Sequence, residues 1–316
     1  MKYEVIALGE LLIDFTQNGV SGQGNFLFEA NPGGAPCNVL AMLQKLGHPT
    51  AFIGKVGDDA FGHTLEAAVK EQGIDTEGLH FDRDVHTTLA LVARLANGDR
   101  DFSFYRKPGA DMMLTETELP EAMFAQARLF HFGTLSMTDE PVKSATLKAV
   151  ALAEKNGLLI TFDPNLRPPL WSDLEDAKAA FAFGMSHCHM LKISDNEIQW
   201  FTGCEDIDEG IAQIRERFHI PLVLASLGPE GSRAYCGDLR VDMPAFLNPN
   251  TVETTGAGDT FCACCIDAVL RNGVHMNADQ LTAMLRFANA AASLVTTRRG
   301  ALRVMPTKAE VLAMLG

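Results

Sequence analysis

The sequence predicts an α/β protein with a mainly parallel sheet covered by helices on both faces. Strand-like and helix-like runs alternate along the chain, which is the pattern of successive strand-helix-strand units. The 316 residues, 47% of them hydrophobic, suffice for one large core. Two stretches break the alternation and predict a small sheet beside the main one.

The first strand is read at Val5–Leu8, inside the opening MKYEVIALGELLIDF. That opening lacks the cationic start, long apolar stretch and small-residue cleavage site of a signal peptide, so it reads as buried strand. In the following Gly9-Glu10-Leu11-Leu12-Ile13-Asp14, Asp14 either accepts hydrogen bonds from ligand hydroxyls or serves a turn. Thr16–Glu29 is polar and glycine-rich. The segment Asn31-Pro32-Gly33-Gly34-Ala35-Pro36-Cys37-Asn38 then enters a helix over Pro36–Leu46 that stops at Gly47. Its glycines let a polyhydroxylated ligand lie against the backbone and Asn38 offers donor and acceptor; the plainer reading is a helix-capping loop.

A strand at Ala51–Val56 and a helix at Ala60–Gln72 follow. Gly54-Lys55 is followed by Val56 and lacks the upstream glycine spacing, which excludes a Walker A loop. Thr88–Leu95 and Asp101–Tyr105 flank Ala96-Asn97-Gly98-Asp99-Arg100, whose Asn-Gly pair signals a β-hairpin. With the Thr16–Glu29 segment it forms the expected small sheet, either a flap over a site or a surface decoration.

Further strands are read at Leu129–Phe132, Leu158–Phe162, Met190–Ile193 and Leu222–Ser226, with helices at Pro141–Lys155, Asp176–Met185 and Ile207–Phe218. His187 and His189 flank Cys188 and are read as packing residues on a strand rather than metal ligands. Lys192-Ile193-Ser194-Asp195-Asn196-Glu197 ends a strand and opens a helix finishing near Gly203; its acidic groups organise Mg²⁺ through water or simply stabilise a first helical turn. Ser226-Leu227-Gly228-Pro229-Glu230-Gly231, before strand-like Arg233–Cys236, offers an open backbone edge for a flat nucleotide.

Near the C-terminus, Glu253-Thr254-Thr255-Gly256-Ala257-Gly258-Asp259 precedes a helix read over Thr260–Leu270, with Arg271 in its last turn and Gly273 as its stop. Glycines at a helix N-terminus make an anion site, and Asp259 is there either a general base or an ordinary cap. Phe261 stands where a dinucleotide fingerprint needs its third glycine. A last helix is read over Asp279–Val295.

A net charge of −14 excludes nucleic acid as partner, and no apolar run approaches the roughly 20 residues of a membrane span. The seven cysteines are read as small core residues of a reducing cytoplasm.

On these residues the chain resembles the ribokinase or PfkB-type carbohydrate kinases. The early signature is Gly33-Gly34-Ala35-Pro36-x-Asn38 through Gly54-Lys55-Val56-Gly57-Asp58-Asp59-x-Phe61-Gly62, and the late one is Thr255–Phe261. Phe104–Asp111 and Phe162–Trp171 most resemble the fructokinase subgroup.

The resemblance implies a ribokinase-like three-layer fold in a single domain over 1–316, with a lid from about 15–30 and 87–106. It implies Asp259 as catalytic base and Gly256, Ala257 and Gly258 as anion hole. Asp14, Gly33, Gly34 and Asn38 would hold the sugar, with Arg106 and Arg167 reaching it or the phosphates. Lys192, Ser194, Glu197, Ser226, Gly228, Gly231 and Asn289 would border ATP, and Glu197 would serve Mg²⁺ through water.

Glu253 stands where the family has aspartate, so Glu253 and Thr255 are only candidates for a potassium site; Ser194 replaces the family's asparagine. The implied reaction is ATP-dependent phosphorylation of D-fructose to fructose 6-phosphate. The alternatives are 2-keto-3-deoxygluconate, aminoimidazole riboside or ribose as substrate, or a non-catalytic sugar-binding regulator. A homodimer through paired lids is the implied assembly.

Overall fold

The structure is a computed structural model that describes residues 1–94 and 100–316. The chain begins with β1 (Val5–Leu8), β2 (Leu12–Val20), β3 (Phe26–Gly33), α1 (Ala35–Lys45), β4 (Thr50–Gly57), α2 (Ala60–Glu71), β5 (Asp75–Asp82), β6 (Leu89–Arg94) and β7 (Arg100–Tyr105). The middle holds α3 (Glu121–Phe124), β8 (Leu129–Phe132), α4 (Val142–Lys155), β9 (Leu159–Phe162), α5 (Leu174–His187), β10 (Met190–Ser194), α6 (Asp195–Thr202) and α7 (Ile207–Phe218). There follow β11 (Leu222–Ser226), β12 (Ser232–Cys236), β13 (Leu239–Met243), α8 (Ala257–Asn272), α9 (Ala278–Val295) and α10 (Lys308–Leu315).

Nine strands form the main sheet in the order β13-β12-β11-β10-β9-β8-β1-β4-β5. The pairs from β5 through β11 are parallel, and β12 and β13 close one edge antiparallel. Alternation along each strand divides the core in two. Val5 and Ala7 of β1 pack with α1, α8 and α9, whereas Ile6 and Leu8 pack with α4 and α5 on the other face. Helix α8 is buried from Thr260 to Leu270 as a central helix, with its buried Asp267 bonded to His48 and Arg271. Cys262, Cys264 and Cys265 are buried thiols at its contact with α1 and α9, where small side chains allow close approach.

The chain leaves the main sheet after β1, builds β2 and β3, and returns through Gly33-Gly34 into α1. These strands join β6 and β7 in a separate four-stranded sheet ordered β3-β2-β6-β7. The small sheet spans Leu12–Gly33 rather than 15–30, and the expected Asn97-Gly98 turn lies outside the described residues.

Several expectations are corrected. Helix α8 starts at Ala257, not Thr260, so the glycine-rich turn is itself the first helical turn. His187 ends α5 and His189 precedes β10, so neither lies on a strand; His187 pairs with Glu154, and His189 accepts the Ile160 N–H. Strands β5 and β13 went unread because edge strands carry polar, half-exposed residues and lose the apolar signal. The carboxyl ends of the parallel strands deliver Glu10, Asp163, Ser194 and Ser226 to the same rim, where ligands of such sheets bind.

Candidate active site

Gly256 caps α8 in the left-handed region at φ 78°, and a Cβ there would lie 2.8 Å from the Ala301 methyl, so glycine is required twice over. The Ala257 N–H is spent on the Thr254 carbonyl at 3.2 Å, which removes it from the expected anion hole. Among the described residues the N–H groups of Gly258 and Asp259 have no protein acceptor, and these point out of a helix N-terminus.

Asp259 stands in that first turn. Its Oδ2 accepts from Asn38 Nδ2 at 2.8 Å, a bond between residues 221 apart in sequence. Burial raises its pKa above the ordinary aspartate value, while the Asn38 donor and the charges of Lys192 and Arg167 hold it down.

A cavity of about 480 Å³ opens beside it, lined among others by Glu10, Asp14, Gly34, Asn38, Glu253 and Asp259. The Asn38 Oδ1 is buried without a hydrogen-bond partner and is thus an acceptor in reserve. Burial pushes the Asp14 carboxyl up to about 7 against the charge of Arg167, and Glu253 and Asp259 add to the rise. Gly33 does not line the cavity; any Cβ there would collide with the Asp14 carboxylate. Gly34, at φ 128°, leaves no room for a side chain over the Glu10 carbonyl. Glu10, unnoticed beside Asp14 in the sequence, accepts the Ala35 N–H at 2.8 Å and so fixes the start of α1, and burial pushes it up to about 7.

Arg106 departs from expectation. Its guanidinium is buried and donates to Asp111 Oδ2 at 2.7 Å, Thr138 Oγ1 at 2.9 Å and the Leu135 carbonyl at 2.8 Å. It does not line either cavity, because Asp111, five residues on, holds it in the wall. Arg167 is exposed and lines both cavities.

The second cavity, about 640 Å³, shares Asn165, Arg167, Lys192 and Gly258 with the first. Lys192 is buried and pairs with Asp163 Oδ2 at 3.0 Å, which raises the lysine's pKa and keeps it charged. A Cβ on Gly258 would lie 3.3 Å from Lys192 Nζ, so ammonium and helix terminus meet where the cavities join. Glu197 closes a capping box with Ser194 and accepts the Leu166 N–H at 2.7 Å, bracing the Asn165–Arg167 turn. Asn165 is itself at φ 50°.

Farther along the second cavity, Gly228 faces open space at φ 53°, beside Ser226. Gly231, at φ 107°, would collide with the Met243 carbonyl if it carried a Cβ. The Asn289 amide is spent on the Met243 and Pro244 carbonyls, each at 3.1 Å, and on Ser232 at 2.9 Å, so it shapes the wall. Glu253 accepts from Thr255 Oγ1 at 2.5 Å and from the Gly300 N–H at 3.3 Å. Asp163 and Asn165 stood inside the Phe162–Trp171 motif without a role assigned to them, and the Arg299–Ala301 turn went unread because only the tertiary fold brings it in.

Residues 2–308 match the model of the pfkB family carbohydrate kinases. A probable fructokinase-2 of Arabidopsis thaliana is 38% identical over 314 residues, covering 98% of this chain and 95% of the plant protein. The structure of fructokinase with bound ATP from Xylella fastidiosa is similar at a TM-score of 0.91 and 28% identity, covering 100% of this chain and 98% of that one. A fructokinase double mutant from Vibrio cholerae O395, in fructose, ADP and potassium ion bound form, matches at a TM-score of 0.89 and 29% identity, covering 100% and 99%.

Proposed function

The chain belongs to the pfkB family of carbohydrate kinases, and we propose that it transfers the γ-phosphoryl group of ATP to the primary hydroxyl of D-fructose, giving fructose 6-phosphate. The observation that carries this reading is the position of Asp259, bonded to Asn38 on the sugar side and seated where the two cavities join at Gly258. The named fructokinases that match this chain end to end support the choice of sugar.

Asp14, the Asn38 carbonyl oxygen and the backbone at Gly34 face the sugar hydroxyls. Asp259 takes the proton of the primary hydroxyl as its oxygen attacks the γ-phosphorus. The bond to the β–γ bridging oxygen breaks and ADP departs with that electron pair. Charge on the transferring group is met by the Gly258 and Asp259 N–H groups and by Lys192, already in place before the reaction. The ATP lies in the second cavity against Gly228, Gly231 and the wall set by Asn289. Magnesium accompanies the nucleotide and is reached from Glu197 only through water, since both its carboxylate oxygens already accept protein donors.

Glu253 and Thr255 stay candidates for a monovalent cation, since each Glu253 oxygen accepts one donor of the protein and keeps a second lone pair. Arg106 is held by Asp111, which removes one arm of the arginine pair that would suit an acidic sugar and favours a neutral one.

The small sheet acts as a lid over the sugar cavity, to which it contributes Asp14, Thr16, Gln17 and Asn31. Its exposed Val20, Phe26, Leu27 and Tyr105 are what pairing of two copies would bury, and the assembly proposed is a homodimer. Among the described residues no helix is long and apolar enough to cross a membrane, and the free cysteines suit a reducing cytoplasm. The test is ADP release from Mg-ATP with fructose, ribose, 2-keto-3-deoxygluconate and aminoimidazole riboside. Preference for any sugar but fructose overturns the assignment.

A further inference from the structure

The turn Arg299-Gly300-Ala301, between α9 and α10, touches the small sheet on one side and the loop before α8 on the other. On the small-sheet side, Arg299 Nη1 donates to Asn18 Oδ1 at 2.8 Å, across 281 residues of sequence. Asn18 is aimed there by an irregularity in β2. The register with β3 runs from Gln17↔Phe28 to Val20↔Phe26, so Asn18 and Gly19 together face one residue, and Gly19 takes φ 110°. A bulge of this kind redirects a side chain out of the ordinary alternation. Asn18 Nδ2 in turn reaches Glu29 Oε2 on β3 at 3.2 Å, which fixes the orientation of its amide. On β3 itself, a Cβ at Gly300 would lie 3.4 Å from Asn31 Oδ1, so turn and strand are in near contact.

On the other side, the Gly300 N–H donates to Glu253 Oε2 at 3.3 Å, and Ala301 packs against Gly256, where any Cβ would be 2.8 Å from the Ala301 methyl. Glu253 also holds Thr255 through its hydroxyl at 2.5 Å. The three residues of the turn therefore bear on Asn18 and Asn31 of the small sheet, on Glu253, and on Gly256 at the cap of α8. All of them except Asn18 line the sugar cavity.

We propose that Arg299-Gly300-Ala301 is a strap that transmits the position of the small sheet to the phosphate-binding turn, with the Arg299–Asn18 bond as its fastening. The inference rests on the kinase reading above only for its catalytic consequence. With the bond made, the strap presses Gly256 and Glu253 into the arrangement that leaves the Gly258 and Asp259 N–H groups free for phosphate. With the bond broken, the small sheet and the turn move independently. Arg299 and Asn18 are thus positioning residues, and the Glu253 carboxylate ties Thr255 and Gly300 together.

The decisive measurement needs no substrate. Hydrogen exchange by mass spectrometry is followed in the wild type, Asn18→Ala, Arg299→Ala and the double variant. Both sites are exposed, so the variants fold. Each single variant is expected to speed exchange about fivefold, the value of one ordinary hydrogen bond, in 16–30 and also in 252–258. The double variant should be no faster than Asn18→Ala alone, which already removes the Arg299 bond together with the Glu29 bond. Arg299→Lys should restore part of the protection. Faster exchange confined to 16–30, or additive effects in the double variant, overturns the strap.

In turnover, both single variants should raise KM for fructose and the share of ATP hydrolysed without sugar phosphate. A wild type inactive on fructose would defeat the substrate assignment while leaving the exchange result to decide the strap.

Discussion

Replacing Asp259 by asparagine tests the chemical reading most directly, because the change removes a charge and a proton acceptor while keeping the shape. In the folded chain Asp259 Oδ2 accepts from Asn38 Nδ2 at 2.8 Å. The amide oxygen of the variant takes the same bond, so Asn38 and the start of α8 stay in place. The sugar contacts proposed for Asp14, Gly34 and Asn38 are untouched, and KM for fructose should stay near the wild-type value. What is lost is the acceptor for the hydroxyl proton, worth about 10²- to 10⁴-fold in rate.

The expected result is therefore a fall in kcat of that size with little change in KM, the mark of an interaction made only in the transition state. The assay is coupled ADP release at saturating Mg-ATP over a fructose series, with the melting shift caused by fructose as a check that the sugar still binds. A kcat within about tenfold of wild type would refute Asp259 as base. The pH profile gives a second handle: the base works only unprotonated, so the wild-type rate must fall as pH drops through a pKa raised above the aspartate value of 3.8. The acid limb that Asp259 contributes should vanish in the asparagine variant.

Other substitutions separate binding from support. Arg106→Met strands Asp111 in the wall without its guanidinium and should cost about 3–5 kcal/mol by urea unfolding, with KM for fructose unchanged; a raised KM at unchanged stability would return Arg106 to the sugar site. Asp14→Asn should weaken fructose binding yet stabilise the fold. Asp14 titrates at about 7 folded against 3.8 unfolded, so its charge destabilises the fold fully above pH 7 and progressively less down to pH 4; the gain in Tm must be larger at pH 8 than at pH 5.

His48, bonded to Glu4 and, at 2.8 Å, to Asp267, has its pKa raised above 6.5, chiefly by Asp267. Its stabilisation is full below 6.5 and lost as pH rises through the raised value. His48→Gln should thus cost more at pH 6 than at pH 9, and equal urea midpoint shifts at the two would refute the pairing.

Most of the main sheet was legible because its strands are buried on both faces and write continuous apolar runs such as Val5–Leu8 and Leu222–Ser226. Edge strands write no such run: Asp75–Asp82 carries acids, a glycine and a histidine on a half-exposed surface. In the proposed site, Asp14, Asn38 and Asp259 each left a plain reading open, as turn residue, capping loop or helix cap, and only the resemblance to carbohydrate kinases chose between the readings; the fold brings all three to one cavity. Arg106 was misread because an arginine's charge does not reveal that Asp111 waits to bury it. Arg299 was invisible for the opposite reason: its meaning lies in Asn18, nearly the whole chain away.

Carboxylates gather at this end of the sheet, Glu197 of the α6 capping box among them, and their partners divide their work. Glu10 is tied to the Ala35 N–H and Glu253 to Thr255 and Gly300, so both brace loops. Asp163 faces Lys192 and keeps that ammonium charged next to the helix terminus. Asp14 and Asp259 remain for the ligand, both raised by burial.

They differ in what opposes that rise. Asp14 has the charge of Arg167 alone, whereas Asp259 has Asn38 as hydrogen-bond donor and both Lys192 and Arg167. A base must be ionised in the resting site and must stand where sugar and phosphate meet. Lys192 and Arg167, which oppose the rise of the Asp259 carboxyl, also line the junction of the two cavities, and this suits Asp259 to the base proposed above. Asp14, raised to about 7 and set against Gly33, is suited to a hydroxyl that it holds without deprotonating.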